Sequence, residues 1–134
     1  MAFGSGGIES YRRTQVASRT PLELVVMLYD GALRFLAAAR DAIDRRDIAA
    51  RREALSRALA IVSELQSTLN LEQGGTIAAS LDRLYGYANV RLLDAAMRND
   101  GAAVDEVRRL FEILREGWTT IAAADASAAP GLGQ

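Results

Sequence analysis

The sequence predicts an all-α protein: an antiparallel up-down four-helix bundle preceded by a short N-terminal helix or arm. Three observations carry that expectation. Apolar residues recur in alternating steps of four and three, the spacing of a single helix face. Candidate caps and turns divide the pattern into stretches of about 20 residues, each a rod of roughly 30 Å. Strict apolar–polar alternation, the mark of a half-buried strand, is nowhere sustained. Short connections make consecutive rods antiparallel, and the four-three step predicts left-handed packing near about +20°.

The first helix spans Thr20 to Asp44. Thr20 and Glu23 have the spacing of a capping box, and Pro21 falls where its missing N–H is harmless. One apolar stripe is Leu24, Leu28, Gly31, Phe35, Ala38 and Ala42. A second, on roughly the opposite side, is Leu22, Val26, Tyr29, Leu33 and Leu36, continued by Ile43. Glu23, Asp30, Arg34 and Asp41 crowd into a narrow polar strip, with Arg40 an outlier. So much apolar circumference demands cover on most sides, either from the rest of the fold or from a partner.

The second helix runs from Ile48 to Leu69, with Asp44 or Asp47 as its cap. Its core stripe is Ile48, Leu55, Leu59, Val62 and Leu69, flanked by Ala54, Ala58, Ile61 and Leu65. Gly74-Gly75 ends the unit and Thr76 caps the next. The third helix, Ile77 to Arg98, buries Ile77, Leu81, Leu84, Tyr85, Ala88, Leu92 and Ala95. On its far side lie Gly86, Val90, Leu93 and Met97. Asp100 and Gly101 form the last turn. The fourth helix, Ala102 to Ala123, has one apolar face, Val104, Val107, Leu110, Phe111, Leu114, Trp118 and Ile121, and a charged back. The expected organisation is a flexible arm over residues 1–19, the bundle over 20–123 and a disordered tail over 124–134.

Composition removes most chemistry. The 134 residues contain neither Cys nor His, which excludes disulfides, thiolate chemistry, His-ligated metals and imidazole catalysis. A di-iron bundle would need Glu-x-x-His pairs, and no phosphate-binding glycine loop follows a strand. No catalytic, metal or cofactor residues are therefore assigned, and no enzyme is expected. A net charge of −1 gives no field to attract nucleic acid. Pairs such as Arg51-Arg52 and Arg108-Arg109 are interleaved with acids, as on solvated helix faces. Asp30 and Arg34 interrupt the longest apolar run, so membrane insertion is not expected, and MAFGSGG has no signal-peptide character. A cytoplasmic protein is expected.

What remains is surplus apolar surface on the first and third helices. Helices that touch several neighbours can absorb such residues into the core, and for the first helix both readings stay open. On the third, Gly86, Val90, Leu93 and Met97 lie opposite a core face that is already complete. There a partner helix reading i, i+3, i+4, i+7 would fit, with Gly86 admitting close approach and Met97 adapting to shape.

Several stretches resemble the flagellin-specific export chaperones of the FliS family. They are Tyr11 with Gln15-Val16; Thr20-Pro21 to Leu36, including MLYDGALRFL; IVSELQSTLNLEQGG from Ile61 to Gly75; LYGYANVRLLDA from Leu84 to Ala95; and EVRRLFEILREGW ending at Trp118. Departures are small: Gly117 stands before Trp118 where the family has an alanine-like residue, and Thr20 stands where serine is commoner. The resemblance implies a bacterial cytosolic chaperone that binds the C-terminal segment of flagellin one-to-one, prevents its polymerisation and delivers it to the flagellar type III export apparatus. Export-gate components or an anti-sigma factor would be further partners, and the protein a monomer or weak homodimer. Client contacts are expected at Leu22, Val26, Tyr29 and Leu33, at Ile61 and Leu65, and at Gly86, Val90, Leu93 and Met97. Tyr11 and Val16 match a segment able to lie across the groove until a client displaces it, although Tyr11 can equally staple the first helix. The competing readings are a helical adaptor sequestering another regulatory protein and a structural homodimer.

Overall fold

The computed structural model describes residues 19–132, with side chains through residue 125. Helix α1 spans Pro21–Arg45, α2 Ile48–Ser67, α3 Leu71–Arg98 and α4 Gly101–Leu132. No strand occurs among the described residues. The connections are Arg46-Asp47, Thr68 to Asn70 and Asn99-Asp100. None can span a helix of 20 residues or more, about 30 Å, so consecutive helices run antiparallel. Each helix packs on two neighbours, α1 and α3 both lying against α2 and α4. The result is the expected up-down bundle.

Local chemistry sets the helix ends. Thr20 Oγ1 accepts from the Glu23 amide at 3.1 Å while Glu23 Oε1 accepts from the Thr20 amide at 2.9 Å, which closes the capping box. Arg46 turns the chain with φ 59° and Asn99 does so with φ 55°, the left-handed conformation that ends a helix. Asp47 caps α2 through the Ala50 amide. Asp100 caps α4 by accepting from the Ala102 and Ala103 amides, so Gly101 begins that helix instead of closing the preceding turn.

Two boundaries differ from the expectation. Helix α2 stops at Ser67, and Asn70 caps a new turn that starts at Leu71. The glycines therefore lie inside α3, not ahead of it. Gly75 (φ 56°, ψ −134°) kinks the helix and Thr76 is not its cap. Asn70 wins because its short amide side chain satisfies the Gln73 amide one turn before the glycines are reached. Helix α4 continues past Ala123 to Leu132, which the alanines of this stretch favour by their high helix propensity.

The core runs the length of the bundle. Tyr29, Leu36, Leu55, Val62, Tyr85, Leu92, Val104, Val107 and Phe111 are its largest fully buried side chains. On α1 the buried arc holds Ala32 and Ala39 at its centre, Gly31 and Ala42 on one flank, and Tyr29, Leu36 and Ile43 on the other. The two apolar stripes of that helix are thus two edges of one wide buried face. One edge meets α2, where a Cβ on Gly31 would stand 3.1 Å from Ile61 Cδ1 and Arg57 stacks 5.7 Å over the Phe35 ring. The other meets α4 through Tyr29 and Trp118 and through the Asp30–Arg115 ion pair. Arg40, the outlier of the polar strip, pairs with Asp105 of α4 at 3.1 Å. Three expected core residues instead face solvent: Ile48, Ile77 and Ile121. All three sit near the ends of their stripes, where neighbouring helices no longer cover them.

Candidate binding surfaces

Among the described residues, two apolar surfaces stand out. The first is the outer face of α3. Val90 is 58% exposed, Leu93 50% and Met97 82%, on the side away from the buried Tyr85, Ala88, Leu92 and Ala95. Opposite placement follows from the helical period, because these residues lie roughly half a turn from the core row. Gly86 heads the stripe but faces α2, where a Cβ would lie 3.8 Å from Gln66 Nε2. Gln66 donates to the Asp82 carboxylate at 2.9 Å and accepts weakly from Asn89 at 3.4 Å, tying α2 to α3 beneath the stripe. On its other side Tyr87 and Arg91 bind the Glu106 carboxylate of α4 at 2.6 and 2.7 Å. These two contacts hold Glu106 below the usual carboxylate range, with the tyrosine hydrogen bond the larger cause. The stripe is therefore bordered by fixed polar contacts.

The second surface is a cavity of about 360 Å³ at the end of the bundle where α2 stops and α3 begins. Val25 of α1, Leu65 and Leu69 of α2, Ile77, Leu81 and Tyr85 of α3 and Trp118 of α4 all contribute to its wall. The turn after Asn70 makes its rim. Both glycines have work there. Gly74 packs so closely on Ala78 that a Cβ would come within 2.5 Å of the alanine Cβ, and Gly75 takes a backbone conformation reserved for glycine. Together they fold the rim down beside Ile77, which stands 72% exposed at the lip.

At the floor the aromatic groups are linked by hydrogen bonds. Trp118 Nε1 donates to the Tyr29 hydroxyl at 3.1 Å, and the Tyr29 and Tyr85 hydroxyls bond to each other. Phe111 packs against both phenol rings, 5.1 Å from Tyr29 and 6.1 Å from Tyr85 between centroids. Burial is the first cause that pushes both phenols above the ordinary tyrosine value, and for Tyr29 the bond to Tyr85 adds to it. No group of acids able to hold a metal ion occurs among the described residues. No helix there is long and apolar enough to cross a membrane.

The twelve expected contact residues divide accordingly. Val90, Leu93 and Met97 are on the surface and share one face. Leu22, Val26, Leu33, Ile61 and Gly86 are half-buried; Leu33 and Ile61 pack against the core, and Val26 borders a cleft between α1 and α4 beside Met27 and Ala122. Tyr29 is fully buried, so direct client contact is corrected to a core position, because its edge of α1 is covered by α4. Leu65 is also buried and reaches a ligand only as part of the cavity wall. Tyr11 and Val16 lie outside the described residues. The reading of periodicity missed the cavity as a whole. Ile77, Leu69, Leu81 and Trp118 look like core residues on their own helices. The available signal was the Gly74-Gly75 pair, which prevents α3 from closing that end smoothly.

Fold and surface thus define a small four-helix bundle with apolar side chains left uncovered among the described residues. The family of flagellar proteins named FliS matches residues 5–125 of this sequence. The flagellar secretion chaperone FliS of Salmonella typhimurium is 39% identical over 124 residues, covering 89% of this chain and 92% of that protein. Its Bacillus subtilis namesake is 35% identical over 109 residues, 81% of this chain and 80% of that protein. A crystal structure of a flagellar chaperone from bacteria superposes with a TM-score of 0.72 over 86% of this chain and 96% of that one, at 14% identity, and shares the fold. The chain belongs to the FliS family. These relatives carry the names of chaperones, which bind clients and catalyse no reaction.

Proposed function

We propose that this chain is a flagellar export chaperone that binds the C-terminal segment of flagellin one-to-one in the bacterial cytoplasm. It keeps that segment from polymerising until the subunit reaches the type III export apparatus. The observation that carries the reading is the apolar row Val90, Leu93, Met97, uncovered on a bundle whose core is complete without it. Exposed apolar patches of this kind mark interaction sites on soluble proteins, and the i, i+3, i+7 spacing suits an amphipathic helix. A client segment disordered when free loses conformational entropy only on binding, so the grip can be reversible despite a large contact. Capture by occlusion needs neither nucleotide nor metal.

The test is titration calorimetry with a synthetic flagellin C-terminal peptide, combined with light scattering, on the native chain and on Val90→Asp with Leu93→Asp. The native chain should be a monomer that binds one peptide. Losing two apolar anchors of about 1–3 kcal/mol each should weaken capture roughly 100-fold. Helix content should not change, since both side chains point away from the core. A native chain indifferent to the peptide, or a variant that binds as tightly as the native chain, would overturn the proposal.

A further inference from the structure

We infer that the bundle end beside Met97 holds a carboxylate of the client, gripped by Arg46 and Arg51. It belongs to an Asp or Glu about one to two turns beyond the apolar residue that meets Met97. The inference rests on reading Val90, Leu93 and Met97 as the client row, and adds a charge requirement to it. At this end Arg46, Asp47, Ile48, Arg51 and Asn99 line an open cleft of about 390 Å³ between the α1–α2 connection and the end of α3. Met97 lies two positions before Asn99, so the exposed row runs out beside that cleft.

In the sequence these arginines are interleaved with acids, but the fold engages the acids elsewhere. Arg40 pairs with Asp44 and Asp105, and Arg45 with Asp41 and Asp47. The second oxygen of Asp47 accepts from the Ala50 amide, and Asp100 accepts from the Ala102 and Ala103 amides. Among the described residues Arg46 and Arg51 are thus left without a carboxylate partner. Arg51 Nη1 donates to Asn99 Oδ1 at 2.7 Å, which leaves the edge formed by Nε and Nη2 to take a carboxylate with two parallel bonds. The Arg51 Nε–H is closed off from solvent and has no acceptor. A carboxylate would relieve that unfavourable state once the guanidinium turns into the cleft it lines. Arg51 also stands in the first turn of α2, which holds no acid and where the helix dipole disfavours a cation. Ile48, 55% exposed, gives the cleft an apolar flank for the methylenes of the acidic side chain. Nucleic acid fits worse, because Asp44, Asp47 and Asp100 interrupt the cations at this end and the chain carries a net charge of −1.

The test is calorimetry at low salt with two amidated peptides: the flagellin C-terminal segment, and the same segment with Asn for every Asp and Gln for every Glu. The native chain should bind the acidic form about tenfold more tightly, and added salt should shrink that advantage. Arg46→Gln should weaken the acidic form about threefold and Arg51→Gln about tenfold, with affinity for the neutral form and helix content unchanged. Asn99→Ala removes the contact to Arg51 but keeps the charge, and should stay within about twofold of native. Equal affinity of the native chain for the two peptides overturns the inference. So do arginine variants that bind the acidic form as tightly as the native chain, or that weaken both forms alike, and so does a loss in Asn99→Ala equal to that in Arg51→Gln. If Arg51→Gln does not fold, Arg46→Gln alone decides. If the native chain binds neither peptide, the client reading has failed and the cleft is tested by itself. The Arg51 Nε–H resonance should then shift saturably with N-acetyl-leucyl-glutamate amide and not with its glutamine counterpart. An unmoved resonance overturns the carboxylate site, as does a single-stranded oligonucleotide that moves it at lower concentration than the acidic compound.

Discussion

Single side chains at the centre of this bundle are chosen for more than volume. Tyr29 and Tyr85 put hydroxyls where leucine or phenylalanine would pack equally well, and each finds its partner inside. Burial raises both above the ordinary tyrosine value, and the bond to Tyr85 adds to the rise at Tyr29. The sign for stability follows directly. The unfolded phenols ionise near about 10, while the folded ones stay neutral there, so their contribution is present below that pH and is lost as pH rises through and beyond it. Ultraviolet titration near the tyrosinate band should therefore show Tyr29 and Tyr85 silent in the ordinary range, with their absorbance appearing together with alkaline unfolding. Titration of Tyr29 or Tyr85 in the ordinary range while the protein stays folded would contradict their burial. Sequence periodicity placed Tyr29 on a stripe but could not tell a client contact from a core member. That distinction depends on which neighbour covers the stripe.

Among the elements, the glycines of α3 and α4 illustrate opposite constraints. Gly75 occupies φ 56° and ψ −134°, which a side chain tolerates poorly even though nothing lies within 4 Å of where its Cβ would be. Gly75→Ala should cost about 1–3 kcal/mol of backbone strain and reshape the cavity rim. Gly117 also has nothing within 4 Å of a Cβ, but it sits inside α4 with no positive φ. Gly117→Ala should therefore stabilise the protein by about 0.5–1 kcal/mol. Thermal unfolding of the two variants checks both signs, and a stabilised Gly75→Ala would refute the assignment of the kink. The dipeptide Gly74-Gly75 was legible as a break in the sequence. Its position inside α3 was not, because Asn70 offered an earlier cap that competes on equal local terms with Thr76.

For the whole molecule, the consequential fact is that α1 and α3 differ in what covers them. The sequence left open whether the second stripe of α1 is core or surplus, and placed the surplus on α3. In the fold, α2 and α4 flank both helices, but among the described residues no large apolar side chain of α1 is exposed, while Val90, Leu93 and Met97 of α3 are. If residues 1–18 lie across open apolar surface and yield to a client, removing them should tighten binding of the flagellin C-terminal peptide several-fold. Calorimetry on the shortened chain checks this, and unchanged affinity would leave Tyr11 with the simpler role of stapling α1. The expectation has a physical basis in mass action: a tethered segment competes at high effective concentration even when its own contacts are weak.

Sequence alone determined the helices, their antiparallel order, the capping box at Thr20, the lack of Cys and His, and the placing of Val90, Leu93 and Met97 opposite the core face of their helix. These depend on local spacing and side-chain type, which hold wherever a helix is placed. Tertiary structure alone decided that Tyr29 and Leu65 belong to the interior, that Ile77 stands at a lip, and that Trp118 walls a cavity. Each of these depends on where helices converge or splay at the end of the bundle. A periodic pattern says which face of a helix is apolar, but only its neighbours decide how far along its length that face is covered.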